Sequence, residues 1–305
     1  MSWDVFMANS LRNTYRICQH HCHTHLHLGV APPRLLVMNV AMNEITNVLG
    51  GLVGWRTAGT EGAPVAVFLH GLGGRRTNWD PQLAVLQDVR RCCAWDQPGY
   101  GDSPGLPTSL PELATAAAEW ITTLGVRQVD VVGLSFGGMV AQHLTLDYPQ
   151  LVRTLALLDT SPAFGLDGVT TKEDWMASRV TPLHEACTAS ERIVAGLVGK
   201  DCPAEVRQVM VDSMRSVPAE SLAAACRALV DHDTRDRLHQ ILVPTVVMVG
   251  SEDTETPPSY AREIASHIPE ARLVEVPEAG HLLNLEDPER VNAELRSLWK
   301  LGGAA

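Results

Sequence analysis

Short apolar runs alternate with longer amphipathic segments along the chain from residue 43 onward. Apolar runs bounded by turn residues are typical of buried strands, whereas apolar positions three and four residues apart are typical of helices. The runs predict strands over 51–58, 65–69, 91–95, 129–132, 154–158, 245–249 and 272–276. The amphipathic segments predict helices over 110–124, 136–146, 258–268 and 288–301. Strands that alternate with helices indicate an α/β fold with a mainly parallel sheet covered on both faces.

This alternation stops between residues 162 and 236. The segment contains helical patterns over 186–197, 203–214 and 219–229 without a convincing strand between them. We therefore expect an inserted helical cap over 162–236, with the α/β core formed by residues 43–161 and 237–301.

The first forty residues have a different pattern, with no helical or strand-like spacing of apolar positions. A cluster of metal-ligating side chains lies here: Cys18, His20, His21, Cys22, His23, His25 and His27. Such tracts can bind zinc or copper, but these ligands are closely spaced and no predicted element orients them. A disordered leader, or a true start at Met38 or Met42, is the favoured interpretation. We expect removal of residues 1–40 to leave activity and melting temperature nearly unchanged.

Composition and charge are those of a globular enzyme and argue against membrane and nucleic-acid partners. The chain has 305 residues, 45% hydrophobic and 19% charged, which is typical of a globular enzyme. No run approaches the roughly 20 apolar residues of a membrane span, and Asp4, Arg12 and Arg16 interrupt the start, so we expect a cytoplasmic protein without a membrane partner. Seven irregularly spaced cysteines fit reduced packing residues. The net charge of −11 argues against a nucleic-acid partner. Composition leaves the oligomeric state open.

The segment Gly133-Leu134-Ser135-Phe136-Gly137 places a serine where a predicted strand turns into a predicted helix. This Gly-x-Ser-x-Gly pattern is typical of a nucleophile elbow, in which a strained turn exposes the serine hydroxyl. Larger side chains at 133 and 137 would collide with neighbouring elements. The alternative is a chance glycine-rich turn.

A serine nucleophile needs a base, and the base needs an acid that orients it. Asp253 follows the predicted strand 245–249, and His281 follows the strand 272–276, so both lie beyond strand ends. The order serine, acid, histidine predicts Ser135 as nucleophile, His281 as base and Asp253 as orienting acid. Glu252 and Asp159 are the rival acids. In isolation, His281 could be a core histidine and Asp253 an Asx-turn residue.

An acyl-transfer site also needs backbone amides that bind the developing oxyanion. The amide of Phe136 follows the nucleophile at a helix N-terminus, and the loop His70-Gly71-Leu72-Gly73-Gly74 follows the strand 65–69. We predict the Leu72 and Phe136 amides as the two donors. The alternative for the loop is a plain glycine turn. Asp96 ends another strand and is expected to stabilise a turn. This chemistry requires no cofactor and no metal.

These residues together resemble the α/β-hydrolase superfamily over nearly all of residues 43–301. The shared motifs are His70-Gly71, Asp96 through Ser103, Gly133 through Gly138, Asp253 and Gly280-His281. The chain is most similar to the 3-oxoadipate enol-lactonase group, through the following segments: Trp79-Asp80-Pro81-Gln82, Gly137 through Val140, Ala223 through Leu229, Thr256-Pro257-Pro258 and Asn284-Leu285-Glu286. The resemblance implies an α/β-hydrolase fold and a serine hydrolase. Dehalogenases and epoxide hydrolases of this superfamily use an aspartate nucleophile, and Ser135 argues against them.

The expected substrate is a small carboxylic ester or lactone. Trp175, Met176 and Phe164 could form an apolar wall, or could be core of the cap. A carboxylate on an enol-lactone would need a cation, for which Arg75, Arg76 and Arg179 are candidates. Carbon–carbon bond hydrolysis and acyl transfer to another acceptor remain alternatives for the same three residues. A ligand-binding protein that kept a hydrolase pocket is a further alternative.

Overall fold

The computed structural model describes residues 41–48, 51–180 and 188–303, and these contain an eight-stranded sheet. The strands in chain order are β1 Met42–Val48, β2 Gly51–Ala58, β3 Val65–Leu69, β4 Arg91–Trp95, β5 Val129–Leu134, β6 Val152–Leu158, β7 Thr245–Gly250 and β8 Arg272–Val276. Their spatial order is β1-β2-β4-β3-β5-β6-β7-β8. The first two strands pair antiparallel, as do β2 and β4, and all other pairs are parallel. The predicted α/β architecture with a mainly parallel sheet is therefore confirmed.

The topology brings the ends of several strands together. The chain adds β4 on one side of β3 and then returns to add β5 on the other side. In open parallel sheets, such a reversal opens a crevice at the carboxyl ends of the strands. The residues that follow β3, β5, β6, β7 and β8 all lie at this end, because these strands run in the same direction.

Helices cover both faces of the sheet. The helices are α1 Asp80–Leu86, α2 Leu110–Thr123, α3 Phe136–Asp147, α4 Lys172–Val180, α5 Thr188–Leu197, α6 Ala204–Ser216, α7 Ala219–Leu229, α8 Pro258–His267, α9 Leu283–Glu286 and α10 Pro288–Leu301. Apolar side chains of α2, α3 and α8 form one buried cluster with the sheet, and those of α1 and α10 form another. Residues of β3 and β5 are buried throughout, as expected for central strands of a parallel sheet.

Four elements were not predicted, and each is short or has a weak apolar pattern. The shortest is α9, with four residues. β1 is mostly polar and exposed, although it pairs with β2 along its whole length. α1 has only seven residues and continues a 3-10 turn over Arg76–Trp79. α4 is rich in charged residues and has few apolar positions. The other predicted strands and helices are found within a few residues of their expected bounds.

Four helices, α4 to α7, lie between β6 and β7, where the sequence predicted helices without a strand. The two ends of this segment meet, because Ala163 and Asp233 form an isolated antiparallel bridge. Phe164 N–H donates to the carbonyl of His232, and Thr234 N–H donates to that of Pro162. The first and last residues of the insertion are therefore neighbours in the structure.

The histidine-rich tract within residues 1–40 lies outside the described residues. In the described ranges, no helix is both long and apolar enough to cross a bilayer. The same ranges hold no group of three or more His, Cys, Asp or Glu side chains placed to bind a metal ion.

Candidate active site

Ser135 lies between the last residue of β5 and the first residue of α3. Its backbone has φ of 53°, in the left-handed region that non-glycine residues rarely adopt. Hydrogen bonds from and to the Ser135 backbone hold this conformation. Ser135 N–H donates to the carbonyl of Leu158, and its own carbonyl accepts from Gly138 N–H and from Thr160 Oγ1. Neighbouring elements thus fix the strained turn that the sequence motif indicated.

Two glycines around Ser135 are required by close backbone packing. A Cβ atom at Gly133 would lie 2.4 Å from the carbonyl oxygen of Gly137, and one at Gly137 would lie 2.1 Å from that of Leu69. Both distances are far below van der Waals contact. The first residues of α3 therefore pack directly against β3 and β5, which places Ser135 at the crevice between these strands.

Hydrogen bonds connect Ser135, His281 and Asp253 in one chain. His281 Nε2 lies 2.8 Å from Ser135 Oγ, and His281 Nδ1 lies 2.8 Å from Asp253 Oδ2. Because an ionised carboxylate only accepts, the Nδ1 atom carries a hydrogen, and in the neutral imidazole Nε2 is then able to accept from the serine hydroxyl. All three side chains are buried. The structure brings together the three residues that the sequence motifs selected.

The loop after β7 surrounds the Asp253 carboxylate with donors. Asp253 Oδ1 accepts from the amides of Glu255 and Thr256, and Oδ2 accepts from Thr256 Oγ1 at 2.8 Å. Burial alone would raise the pKa of Asp253. The positive charge of His281 and the hydrogen bonds from His281 and Thr256 outweigh burial and hold that pKa below its usual value. Asp253 is therefore ionised where it contacts the imidazole.

His281 is held in an acidic environment. Burial lowers the pKa of the imidazole, but the charge of Asp253, the hydrogen bond that His281 donates to Asp253, and the charges of Asp159 and Glu255 outweigh it. The net effect raises the pKa of His281 to about 9. The carboxylates thus stabilise the imidazolium form, which is the form that a general base adopts after it accepts a proton.

The rival acids occupy other positions. Asp159 is fully buried at the end of β6, where it accepts from the amides of Gly250 and Leu283. Burial, and then the charge of Asp253, raise its pKa well above the usual value. Asp159 thus links the backbone just before Asp253 to the backbone just after His281. Glu252 instead accepts from the Lys200 amide, and its carboxylate faces the Lys200 side chain.

Glu286 organises the loop that carries His281, and the sequence analysis did not select it for this role. Its carboxylate accepts from the amides of Gly199, Gly280 and Leu282. The amide of His281 itself donates to the carbonyl of Leu197, the last residue of α5, at 2.7 Å. The inserted helices therefore contribute directly to the placement of the imidazole.

The loop after β3 lies against the serine. A Cβ atom at Gly71 would lie 3.2 Å from Ser135 Cβ. His70 Nε2 accepts from the amide of Gln97, so its Nδ1 carries the hydrogen and donates to the Gly71 carbonyl at 2.9 Å. Gly74 N–H donates to the same carbonyl. Because the peptide is planar and trans, the Leu72 amide points to the opposite side of this peptide.

Phe136, the other predicted donor, is the first residue of α3. An amide at this position has no partner within the helix, and the helix dipole places partial positive charge there. The structure therefore positions both predicted amides in segments that contact Ser135.

Two pockets meet at Ser135. The first has an empty volume of about 810 Å³ and includes His70, Leu72, Ser135 and His281 in its lining. Apolar side chains of α5, α6 and α7 form much of its remaining wall: Ile193, Leu197, Met210, Met214, Leu222 and Leu229. The 3-10 turn after β3 and the short helix α9 also contribute, through Asn78, Trp79 and Asn284. The second has an empty volume of about 900 Å³ and a more polar lining, which includes Ser161, Asp167, Thr170, Thr254 and Tyr260. We call these the apolar pocket and the polar pocket.

Only some of the residues predicted to contact the substrate line the two pockets. Trp175 lines both pockets, as does Arg179, and Phe164 lines the polar pocket. Among the residues described, Arg75 and Met176 line neither pocket. Met176 follows Trp175 on α4, and successive helical residues point about 100° apart, which turns the Met176 side chain away from the direction of Trp175. Arg75 lies at the start of the 3-10 turn, where its amide donates to Asn78.

The other candidate cations are paired with carboxylates. Arg76 is buried and forms ion pairs with Asp96 and Asp102, so it stabilises the turn after β4. Asp96 also accepts from the Arg76 amide, in keeping with a turn-stabilising role. Arg179 forms an ion pair with Glu255 and lies over the Trp175 ring. A substrate carboxylate would have to compete with Glu255 for this cation.

Comparison with known proteins places the chain among hydrolases. The sequence profile of the Alpha/beta hydrolase family matches residues 66–294. The chain is 30% identical over 258 residues to 3-oxoadipate enol-lactonase 1 of Acinetobacter baylyi, covering 81% of this chain and 92% of that protein. The 3-oxoadipate enol-lactonase 2 of the same organism is 27% identical with the same coverage. A thermophilic esterase from Thermogutta terrifontis superposes with a TM-score of 0.76 at 28% identity, over 87% of this chain and 100% of the esterase.

Proposed function

This chain belongs to the alpha/beta hydrolase family, as its motifs predicted, and we propose that it hydrolyses small carboxylic esters or lactones. We assign Ser135 as nucleophile, His281 as general base and Asp253 as orienting acid. The continuous hydrogen-bond chain from Ser135 Oγ through His281 to Asp253 is the observation that carries this proposal. The relatives named as enol-lactonases and as an esterase support the same class of substrate.

The reaction follows from the hydrogen-bond pattern. Ser135 Oγ attacks the substrate carbonyl carbon while its proton moves to His281 Nε2. Asp253 holds Nδ1–H and stabilises the imidazolium that forms. His281 then returns the proton to the leaving alkoxide as the carbon–oxygen bond breaks, which leaves an acyl-enzyme. Water attacks this ester with His281 again accepting a proton, and the carboxylic acid product leaves with Ser135 restored.

The amides of Leu72 and Phe136 are proposed to bind the carbonyl oxygen as it becomes negative. Removal of one such donor typically costs about 3–4 kcal/mol of transition-state stabilisation. His70 supports this role, because its Nδ1–H fixes the Gly71 carbonyl and thereby the direction of the Leu72 amide.

We also propose that residues 162–236 act as a cap that sets substrate size. Side chains of α5, α6 and α7 form most of the apolar wall opposite the strand ends, so they limit what can approach Ser135. No cofactor enters this mechanism.

Ser135→Ala tests the proposal. It removes the nucleophile, and we expect turnover of 4-nitrophenyl and lactone substrates to fall by about 10⁴- to 10⁶-fold without loss of the fold. A fluorophosphonate probe should label Ser135 in the wild type and should not label the variant. Full turnover by a folded Ser135→Ala protein would rule out this mechanism.

Product analysis separates the remaining alternatives. Ester hydrolysis yields an acid and an alcohol, carbon–carbon hydrolysis yields two fragments from a diketone-like substrate, and acyl transfer yields a new ester or amide when an acceptor is added. If a folded wild-type sample is not labelled by the probe, the ligand-binding alternative is favoured.

A further inference from the structure

The apolar pocket contains a small group of buried polar atoms that have no hydrogen-bond partner. Asn78 Nδ2, Trp79 Nε1 and Asn284 Oδ1 are all unpartnered within the described chain. Asn78, Trp79 and Asn284 line the same pocket as Ser135 and His281, and their side chains are almost fully buried. Buried polar atoms in folded proteins nearly always have a partner, so three in one wall require an explanation. We call these three residues the polar wall.

The orientations of the two asparagine amides are fixed by their other contacts. Asn78 Oδ1 accepts from the Arg75 amide at 2.7 Å and from Ser213 Oγ at 2.9 Å, so Nδ2 is the group left free. Asn284 Nδ2 donates to the backbone carbonyl of Asn78 at 2.9 Å, so Oδ1 is the group left free. A 180° rotation of the Asn78 amide would place its NH₂ group against the Arg75 N–H, and the same rotation of Asn284 would place its oxygen against the Asn78 carbonyl. The polar wall therefore has two free N–H donors and one free carbonyl acceptor.

The backbone around the polar wall is also fixed. Gln82 donates from its side chain to the Asn284 carbonyl at 2.8 Å, which ties α1 to α9. Trp79 packs against Phe68 with ring centroids 5.2 Å apart. These contacts hold the backbone and the Trp79 ring in place. The unpartnered atoms of the polar wall therefore cannot easily move to reach other protein partners.

We propose that the polar wall binds a neutral group on the substrate that both accepts and donates hydrogen bonds, a hydroxyl or a secondary amide. This inference rests on the proposed function and names a substrate feature for that same pocket. A hydroxyl oxygen has two lone pairs for the N–H donors and one hydrogen for Asn284 Oδ1, and an amide offers the same complement through its carbonyl and N–H. The rest of the substrate contacts apolar side chains of the pocket.

A carboxylate does not fit the polar wall. It has no hydrogen to offer Asn284 Oδ1 and would place negative charge beside that carbonyl oxygen. Among the described residues that line this pocket, the one arginine is Arg179, which is paired with Glu255. Burial of an unpaired carboxylate is costly, so the pocket should discriminate against acids of the same shape.

Matched substrates test the inference with the wild-type protein. One series consists of 4-nitrophenyl esters that carry a hydroxyl, an acetamido group, a carboxylate or a methyl group at successive carbons of the acyl chain. The other consists of acetate esters with the same groups along the alcohol. At one position, we expect the hydroxyl or amide compound to exceed its methyl match in kcat/KM by at least about tenfold. The carboxylate should be slower than the methyl compound.

Two variants locate the preference. Asn284→Leu removes the free acceptor, and Asn78→Asp keeps the contacts to Arg75 and Ser213 while it replaces the free NH₂ by oxygen. Both should reduce the hydroxyl-to-methyl ratio toward one. Asn292→Leu is the matched control, since Asn292 is a buried asparagine of α10 with an unpartnered Oδ1 and does not line the pocket. The control should keep the ratio, whatever its effect on stability.

Several results would overturn the inference. These are no preference at any position in either series, a faster carboxylate compound, or a preference that folded Asn284→Leu and Asn78→Asp proteins retain. If neither variant folds, the wild-type series still decides. Failure of the proposed function looks different, because then the plain esters would not be hydrolysed and Ser135 would not be labelled.

Discussion

At the residue scale, the proposed mechanism makes His281 the group whose protonation should limit activity. A base must be neutral to accept the serine proton, and the surrounding carboxylates raise the pKa of His281 to about 9. We therefore expect kcat/KM to rise as pH increases from 6 and to level off above about pH 9. The measurement is a pH–rate profile with a neutral ester. A profile already flat at pH 7 would contradict the assigned environment.

Asp253→Asn is the control for this profile. Replacement of the carboxylate removes the largest influence that raises the pKa of His281, so the rise should move to lower pH. The amide also cannot hold Nδ1–H in the same way, and we expect kcat to fall by about 10⁴-fold.

Some residues of the candidate site could be predicted from the sequence and others could not. Ser135, Asp253 and His281 were predicted because the elbow has a local signature and the other two follow predicted strands. The sequence could not show that Trp175 lines the pockets while Arg75 and Met176 do not. The side of a helix or turn that faces a pocket depends on tertiary packing. Glu286 and Thr256 act through backbone amides and hydroxyl contacts within loops. Such contacts require the loop conformation, which spacing and residue type do not determine.

At the element scale, the insertion meets the core through a pair of buried histidines. His143 belongs to α3, and His232 lies at the end of the segment after α7. His232 Nε2–H donates to the Ser161 carbonyl at 2.9 Å, so His232 Nδ1 accepts from His143 Nε2–H at 3.3 Å. His143 Nδ1 is then an acceptor without a partner in the described residues. The two hydrogen bonds of His232 require its ring to be neutral, and burial disfavours the charged form of both rings.

Acid should therefore weaken the protein at this junction. Burial lowers the pKa of His232 to about 3 and lowers that of His143 despite the nearby Asp147. An unfolded chain protonates these histidines near their ordinary pKa of about 6.5. Stability contributed by the neutral pair is thus present above pH 6.5 and is lost as pH falls toward 3. We expect the free energy of unfolding to decrease over this range in denaturant titrations.

His232→Gln tests this explanation. Its side-chain amide can still donate to the Ser161 carbonyl but does not titrate. The variant should lose less stability than the wild type between pH 6.5 and pH 4. An equal loss in both proteins would show that other groups cause the acid dependence.

Elements with strong apolar periodicity were predicted well, and the reason is physical. Buried strands such as β5 and β7 are mostly apolar because helices cover both of their faces. β1 at the edge and α4 in the insertion bury few side chains, so packing places little demand on their sequences. β1 is placed by its pairing with β2, and α4 is placed by a few side-chain contacts such as that of Trp175 with Phe164.

At the scale of the whole molecule, the two ends of the sheet have different roles. Ser135, Asp159 and Asp253 follow the carboxyl ends of β5, β6 and β7. The opposite end holds a buried charge cluster in which Asp130 of β5 accepts from Arg90, from Arg153 and from Thr154 Oγ1. Asp130 is fully buried. The cluster joins β4, β5 and β6 far along the strands from the serine.

Asp130→Asn should separate stability from activity. It leaves the buried Arg90 and the half-buried Arg153 without their counter-charge, and loss of one partner of a buried ion pair typically costs about 3–5 kcal/mol of unfolding free energy. We expect a clear drop in the denaturation midpoint and little change in kcat for the folded fraction. Asp88→Asn is the control, because its ion pair with Arg296 is largely exposed and should contribute far less. A large loss of kcat in folded Asp130→Asn protein would contradict this separation.

The hydrogen bond from the His281 amide to the Leu197 carbonyl has a consequence for engineering. Exchange of the inserted helices between members of a hydrolase family is an attractive way to transplant specificity. Here the transplanted piece would also supply one support of the imidazole, and the neighbouring Gly280 has no room for a Cβ against this segment. A graft that ends before residue 197 keeps this support, whereas one that replaces α5 must reproduce the carbonyl. If the insertion sets substrate size as proposed, a change of specificity by helix exchange also changes the support of the imidazole.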